Sequence, residues 1–207
     1  MDRRVILGAA LAVLVTLSGC GAILGGDLSY SASQATVSEQ ALASAHYSEQ
    51  DVHSQTVNRT FTVAGQTRQV NLTNWMASYS RDTSGGRSPG SVVVFATPTV
   101  TIAGQSLNPL GQLSSADLID RLLAQYGAVG DVQSAGSQQI TVLGKNATVS
   151  SFRATITQNG QDVPVLVHVT TVKHGDDYVV ALAIHPASAT AEDAAVKTMF
   201  TGIRHAT

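Results

Sequence analysis

Apolar positions along the chain change period several times, and each change marks an element. From residue 53 to 79 they alternate with polar ones. Val57, Phe61, Val63, Val70 and Leu72 fall on one face, with Arg59, Arg68 and Asn74 among them, and Asn58, Thr60, Thr62, Gln69, Asn71 and Thr73 fall on the other. A period of two is that of a half-buried strand, so the pattern predicts a β-hairpin over 53–64 and 67–79 that reverses at Gly65-Gln66. A strand over 91–102 follows, bent or placed at an edge by Pro98. The period then widens to a helical one, with Ser114 as cap, Leu118, Ile119, Leu122 and Leu123 as the apolar stripe, and Gly127 as the stop. The final third alternates again and predicts a four-stranded antiparallel meander over 138–144, 147–157, 162–172 and 178–185. Its Asn159-Gly160 pair is a type I′ turn signal that sets Phe152, Ala154 and Ile156 beside Val163, Val165 and Val167 on one buried face.

Two further helices complete the pattern. One over 36–47 is signalled by Thr36 and Glu39, three residues apart as in a capping box. The other starts at Thr190, with Asp193 at its third position, and presents Val196, Met199, Phe200 and Ile203 to cover the Phe152 face. The expected fold class is therefore α+β: an antiparallel sheet, built from an N-terminal hairpin and a C-terminal meander, packed by two or three helices in an α-β-α sandwich. The phrases TVAGQ at 62–66, TIAGQ at 101–105 and TVLGK at 141–145 recur roughly 40 residues apart, but their flanks differ, so they read as one turn chemistry used three times.

The first residues carry a different message. Asp2, Arg3 and Arg4 form a charged head, and an apolar run from Val5 to Leu17 follows, as in a secretory signal. Arg3-Arg4-Val5-Ile6-Leu7 fits the twin-arginine export pattern. Leu17-Ser18-Gly19-Cys20 resembles a lipobox, an aliphatic residue and two small ones before the cysteine that takes the lipid. The alternative is an uncleaved membrane helix; the run to the lipobox falls short of the about 20 residues a span needs, and a helix stretched through Gly21-Ala22-Ile23-Leu24 would be weakened by Gly8, Gly19, Gly21, Gly25 and Gly26. These features divide the chain into a twin-arginine signal peptide (1–19), a lipid-anchored Gly-rich tether (20–26) and one domain (27–207). Cys20 is the only cysteine, so the domain has neither a disulfide nor a thiolate metal site.

Composition narrows the partners more than the chemistry. The net charge is −2 and charged residues are 13% of the chain, so no strong field steers nucleic acid. No phosphate-cradling loop, dinucleotide fingerprint, nucleophile elbow or zincin helix is present. The six histidines, His46, His53, His168, His174, His185 and His205, lack a second ligand at helical metal spacing. His174-Gly175-Asp176-Asp177 reads as a polar hairpin loop with too few oxygens for calcium. His168 faces away from Val165, Val167 and Val169, towards Ser151, as a hydrogen-bonded structural histidine. Asp117 and Asp120 favour the positive end of their helix. Arg59 and Arg68 either reach water along their stems or line an anion-binding groove. Three N-x-S/T sequons, at Asn58, Asn71 and Asn146, are candidate glycosylation sites. The first two lie on the polar hairpin face and are expected to be modified first.

TFTVAGQTR (60–68), TPTVTIAGQSLNPLG (97–111) and DDYVVALAIHP (176–186) resemble a family of small halophilic-archaeal surface lipoproteins of unknown function. That resemblance implies a cell-surface location and brings no reaction or catalytic residue. Such proteins are usually strongly acidic, and this chain is not. The order of elements is also similar to the PsbP-like α-β-α sandwich, an analogy of fold alone. The resulting expectation is a lipid-anchored protein at the extracytoplasmic face of the cell membrane. It is expected to be a non-catalytic binding or envelope-associated module without a cofactor, catalytic residue or metal ligand. Its partners are the membrane, through Cys20, and an unidentified protein or small molecule, with nucleic acid excluded. The alternative is an envelope hydrolase or transferase whose site the sequence does not display. A pocket holding His168 or His185 beside a carboxylate would mark that alternative.

Overall fold

Tight reversals between long strands set the architecture. The computed structural model describes residues 27–63, 66–81, 90–102, 105–106, 113–123, 132–158 and 160–206, so Cys20, the signal and the tether lie outside the described residues. In chain order the elements are β1 (Leu28–Ser31), β2 (Ala35–Val37), α1 (Glu39–Ala45), β3 (Ser48–Val63), β4 (Gln66–Ser80), β5 (Ser91–Pro98), β6 (Thr101–Ile102), β7 (Gln105–Ser106), α2 (Ser115–Leu123), β8 (Gln133–Val142), β9 (Lys145–Gln158), β10 (Gln161–His174), β11 (Asp177–Pro186), α3 (Glu192–Thr201) and β12 (Ile203–His205). Eight strands form one mixed sheet in the order β1-β4-β5-β11-β10-β9-β8, with β3 on the other edge of β4. Only β1 against β4 is parallel among these pairs.

The α+β expectation is overturned. Strands supply most of the described residues, while the helices have seven, nine and ten residues. A second sheet of two strands, β2 paired with β12, lies over the large one, which makes the domain a mostly-β sandwich. Two misassigned residues explain the difference. Thr36 does not cap a helix but pairs with Arg204 in the small sheet, and Ile203 is a buried strand residue opposite Val37. The helix cap is Ser38, whose hydroxyl accepts the Ala41 N–H. Hairpin and meander are not separate blocks either, because β5 pairs with β4 on one side and β11 on the other.

The hairpin register differs by one residue on each strand from the expected one: Val63 pairs with Gln66, where a turn at Gly65-Gln66 would pair residue 64 with 67. Moving both strands by one keeps the same residues on the same face. The polar face therefore stands as expected, with Asn58 opposite Asn71 and Thr60 opposite Gln69. Pro98 ends β5 and does not bend it; its partner is Asp177.

Each face of the large sheet has its own cover. Phe152, Ala154, Val165, Val167 and Val169 pack under Leu118 and Ile119 of α2, whose Ser114 hydroxyl accepts the Asp117 N–H at 3.1 Å. The opposite face, with Ala77, Tyr79, Val92, Val94, Val149 and Ala181, packs under Val196, Met199 and Phe200 of α3 and under α1. The expectation that α3 covers the Phe152 face is thus corrected to the opposite side. Close approach of α1 fixes Gly202, where a Cβ would collide with the Cβ of Ala41. The Tyr79 hydroxyl, fully buried, accepts the Val37 N–H at 2.9 Å and ties the small sheet to the large one.

Candidate functional site

Three polar side chains converge on the α3 side of the large sheet. β10 and β11 reverse at Gly175-Asp176, so His174 pairs with Asp177, His168 stands opposite Ala183, and His185 stands opposite Leu166. Residues two apart on a strand share a face, and so His168 and His185 meet diagonally across the pair. Their rings stack, with centroids 5.1 Å apart and planes 14° apart. Their Nε2 atoms are 2.9 Å apart. The Oδ1 of Asp193, in the first turn of α3, lies 3.4 Å from the first Nε2 and 3.3 Å from the second. Both imidazoles are buried, while the Asp193 side chain is 52% exposed.

Hydrogen bonding outside the cluster decides where the ring protons sit. The Pro186 carbonyl, 3.0 Å from His185 Nδ1, can only accept, so Nδ1 carries a hydrogen and Nε2 is the nitrogen turned towards His168. Ser151 Oγ lies 2.8 Å from His168 Nδ1 and serves as donor or acceptor. Burial, then the neighbouring His185 ring, push His168 down to about 4, against the pull of the Asp193 carboxylate. Three atoms able to donate to a cation, His168 Nε2, His185 Nε2 and Asp193 Oδ1, thus face one another within 3.4 Å. This group of His168, His185 and Asp193 has the donors to hold a metal ion.

Beside it, Glu192 turns the other way. Its buried carboxylate accepts the Tyr47 hydroxyl at 2.9 Å and pairs with the Arg81 guanidinium. Burial raises the Tyr47 hydroxyl well above the usual tyrosine range, helped by the charge of Glu192 and its hydrogen bond and opposed by Arg81.

A second polar cluster is closed on itself. Buried Asp177 accepts the Ser33 N–H at 2.8 Å and His205 Nε2–H at 3.0 Å, and His205 Nδ1 shares a hydrogen bond with His174 Nδ1 at 3.0 Å. Desolvation lowers His174, with His205 and Lys145 adding to it and Asp177 opposing. These bonds fasten the β10–β11 reversal to β12. The hairpin reading of His174-Gly175-Asp176-Asp177 therefore holds.

Other positions singled out from the sequence stay apart from the cluster. Asn58 and Asn146 are exposed. Asn71 is half-buried; its Nδ2 donates to Ser29 Oγ at 3.4 Å and its Oδ1 is enclosed. Arg59, exposed, and Arg68, half-buried, lie diagonally on one face, opposite Val70 and Phe61. The side chains of Asp120, Leu122 and Leu123, and all of Gly127 and Asn159, lie outside the described residues. His168 was expected to face Ser151, and it does; what spacing along the chain missed was His185 and Asp193. The 174–177 reversal was the available signal, since its register alone puts both histidines on one face.

The chain belongs to the family described as Domain of unknown function (DUF6517), whose model matches residues 34–204. No curated protein matches it. Among solved structures, it is similar to PA94 from Pseudomonas aeruginosa, described as a protein of unknown function and putative regulator. Identity is 11%, coverage 72% of this chain and 99% of that one, and the TM-score 0.37. It is also similar to cyanobacterial PsbP (CyanoP) from Synechocystis sp. PCC 6803, at 10% identity, 92% and 99% coverage, and a TM-score of 0.41. Likeness at this level carries no argument about activity.

Proposed function

We propose that this chain is a cation-binding module held at the extracytoplasmic face of a membrane by a lipid on Cys20. The observation that carries the binding reading is the convergence of His168 Nε2, His185 Nε2 and Asp193 Oδ1. Two imidazoles and one carboxylate suit a borderline divalent ion such as zinc better than calcium or magnesium, which prefer oxygen. For bonds of about 2.0–2.1 Å, a tetrahedral zinc sets its ligands roughly 3.3 Å apart. The two carboxylate–imidazole separations, 3.3 and 3.4 Å, already fit, and the imidazoles need to part slightly from 2.9 Å. Pro186 and Ser151 supply the outer hydrogen bonds that orient ligating histidines. For the anchor, the support is the Leu17-Ser18-Gly19-Cys20 lipobox behind a twin-arginine head, and the resemblance to archaeal surface lipoproteins agrees with it. Among the described residues no helix is long and apolar enough to cross a membrane.

A second reading, an envelope hydrolase or transferase, is favoured by the same cluster, since His168 and His185 beside a carboxylate are the mark set for it above. Three protein donors leave a fourth position on the ion, as in zinc enzymes that activate water there. Metal-dependent ester, amide or phosphoester hydrolysis that His185→Gln abolishes would select it.

Native mass spectrometry of protein purified from membranes tests the main reading. The expected spectrum shows an acyl mass on Cys20 and one divalent ion per chain, the ion lost in His168→Gln and His185→Gln. A chain that neither carries nor takes up zinc refutes the cation site. An unacylated N-terminus refutes the anchor independently.

A further inference from the structure

We infer that a zinc-class cation at this site acts as a clasp fastening the terminal helix to the large sheet. This rests on the cation-binding reading above and adds what the ion does. Its donors come from two kinds of support. His168 and His185 stand on adjacent inner strands, β10 and β11, and are buried. Asp193 belongs to α3, on the far side of the 187–191 connection, and its side chain is half in solvent.

The start of α3 lacks the usual local fastening. Its N-cap, Ala191, has no side-chain hydrogen bond to offer the first turn. Tertiary contacts replace the cap. Glu192 reaches Tyr47 and Arg81, which leaves the side over β10 and β11 to Asp193 alone among the first-turn acids. The Asp193 carboxylate meets the two imidazole Nε2 atoms only at 3.3 and 3.4 Å, longer than a charge-assisted hydrogen bond, so these contacts hold it to the sheet weakly. That arrangement leaves the half-exposed carboxylate able to swing outward. A divalent cation draws it in, because all three atoms then donate to one centre.

Two segments register the change. α3 packs Val196, Met199 and Phe200 onto the sheet, and β12 continues from it into the small sheet through Ile203 and Val37. Loading the ion therefore tightens α3, β12 and β2 together, while α2, on the opposite face, is left as it was.

Hydrogen exchange of the full chain in detergent, with zinc and with chelator, tests the clasp, and calorimetry on the same samples reads binding. Zinc is expected to slow amide exchange in α3 and β12 by about tenfold or more, with little change in α2. Asp193→Asn is expected to keep weaker zinc binding through the two histidines and to lose the protection of α3. Stoichiometric zinc binding without slower exchange in α3 overturns the clasp and leaves the site standing. Full protection in Asp193→Asn also overturns it. Absence of zinc binding removes site and clasp together.

Discussion

His168 and His185 meet through their Nε2 atoms at 2.9 Å, one from the middle of β10 and the other from the end of β11. Two buried imidazoles in that arrangement share a hydrogen or a cation. The outer contacts of each ring, Ser151 on one and the Pro186 carbonyl on the other, decide which nitrogen is presented.

Ser151 is the simplest of these contacts to remove. Ser151→Ala deletes the partner of His168 Nδ1 at 2.8 Å without touching a donor to the ion. Zinc affinity is expected to fall about 10–100-fold, the usual cost of losing an outer-shell hydrogen bond. Competition against a chromophoric chelator measures it, and unchanged affinity would show that Ser151 does not orient the ring.

Packing gives a test of which helix covers which face. Phe200 is fully buried on the α3 side, and Phe200→Ala is expected to cost about 3–5 kcal/mol in urea unfolding. Phe152 lies on the other side, under α2. Phe200→Leu and Phe152→Leu should therefore combine additively to within about 0.5 kcal/mol. A coupling energy well above that would mean α3 packs on the Phe152 face after all.

Alkaline pH probes the Tyr47–Glu192 contact. The folded Tyr47 hydroxyl titrates above its unfolded value of 10.0. Its contribution to stability is thus complete below about pH 10 and is lost as pH rises beyond it. Tyr47→Phe should cost about 1.5–3 kcal/mol at neutral pH, as for a hydrogen bond to a charged group, and should shallow the alkaline decline. Tyr79 is also raised, chiefly by burial, so some decline persists. Identical alkaline slopes in the two proteins would contradict this account.

The sequons separate by exposure. Asn58 and Asn146 stand in solvent, whereas Asn71 is half-buried beside Ser29 of β1. If the native host glycosylates the chain, glycopeptide mapping should find Asn58 and Asn146 occupied ahead of Asn71. Preferential modification of Asn71 would argue against the packing of β1 on β4.

Strand positions and faces were largely legible because a period of two survives small errors in register, as between β3 and β4. The small sheet was not. Thr36 followed by Glu39 satisfies a helix-cap pattern, and Ile203 continues the apolar spacing of α3, yet both are strand residues. Local patterns do not report that segments 35–37 and 203–205, far apart in the chain, pair with each other. The candidate site failed for a related reason. His168 and Ser151 follow from one turn, but His185 needs a second register, and Asp193 depends on where α3 lands. Helix N-terminal acids such as Asp193 are ordinarily explained by the helix dipole, which hid its other role.

The central claim is that His168, His185 and Asp193 form one cation site, and zinc calorimetry on the metal-stripped chain tests it most directly. The account predicts one zinc per chain, with heat lost in His185→Gln and His168→Gln while both variants keep the unfolding cooperativity of the parent. No zinc heat in the parent chain, or the same binding in both variants, would contradict it.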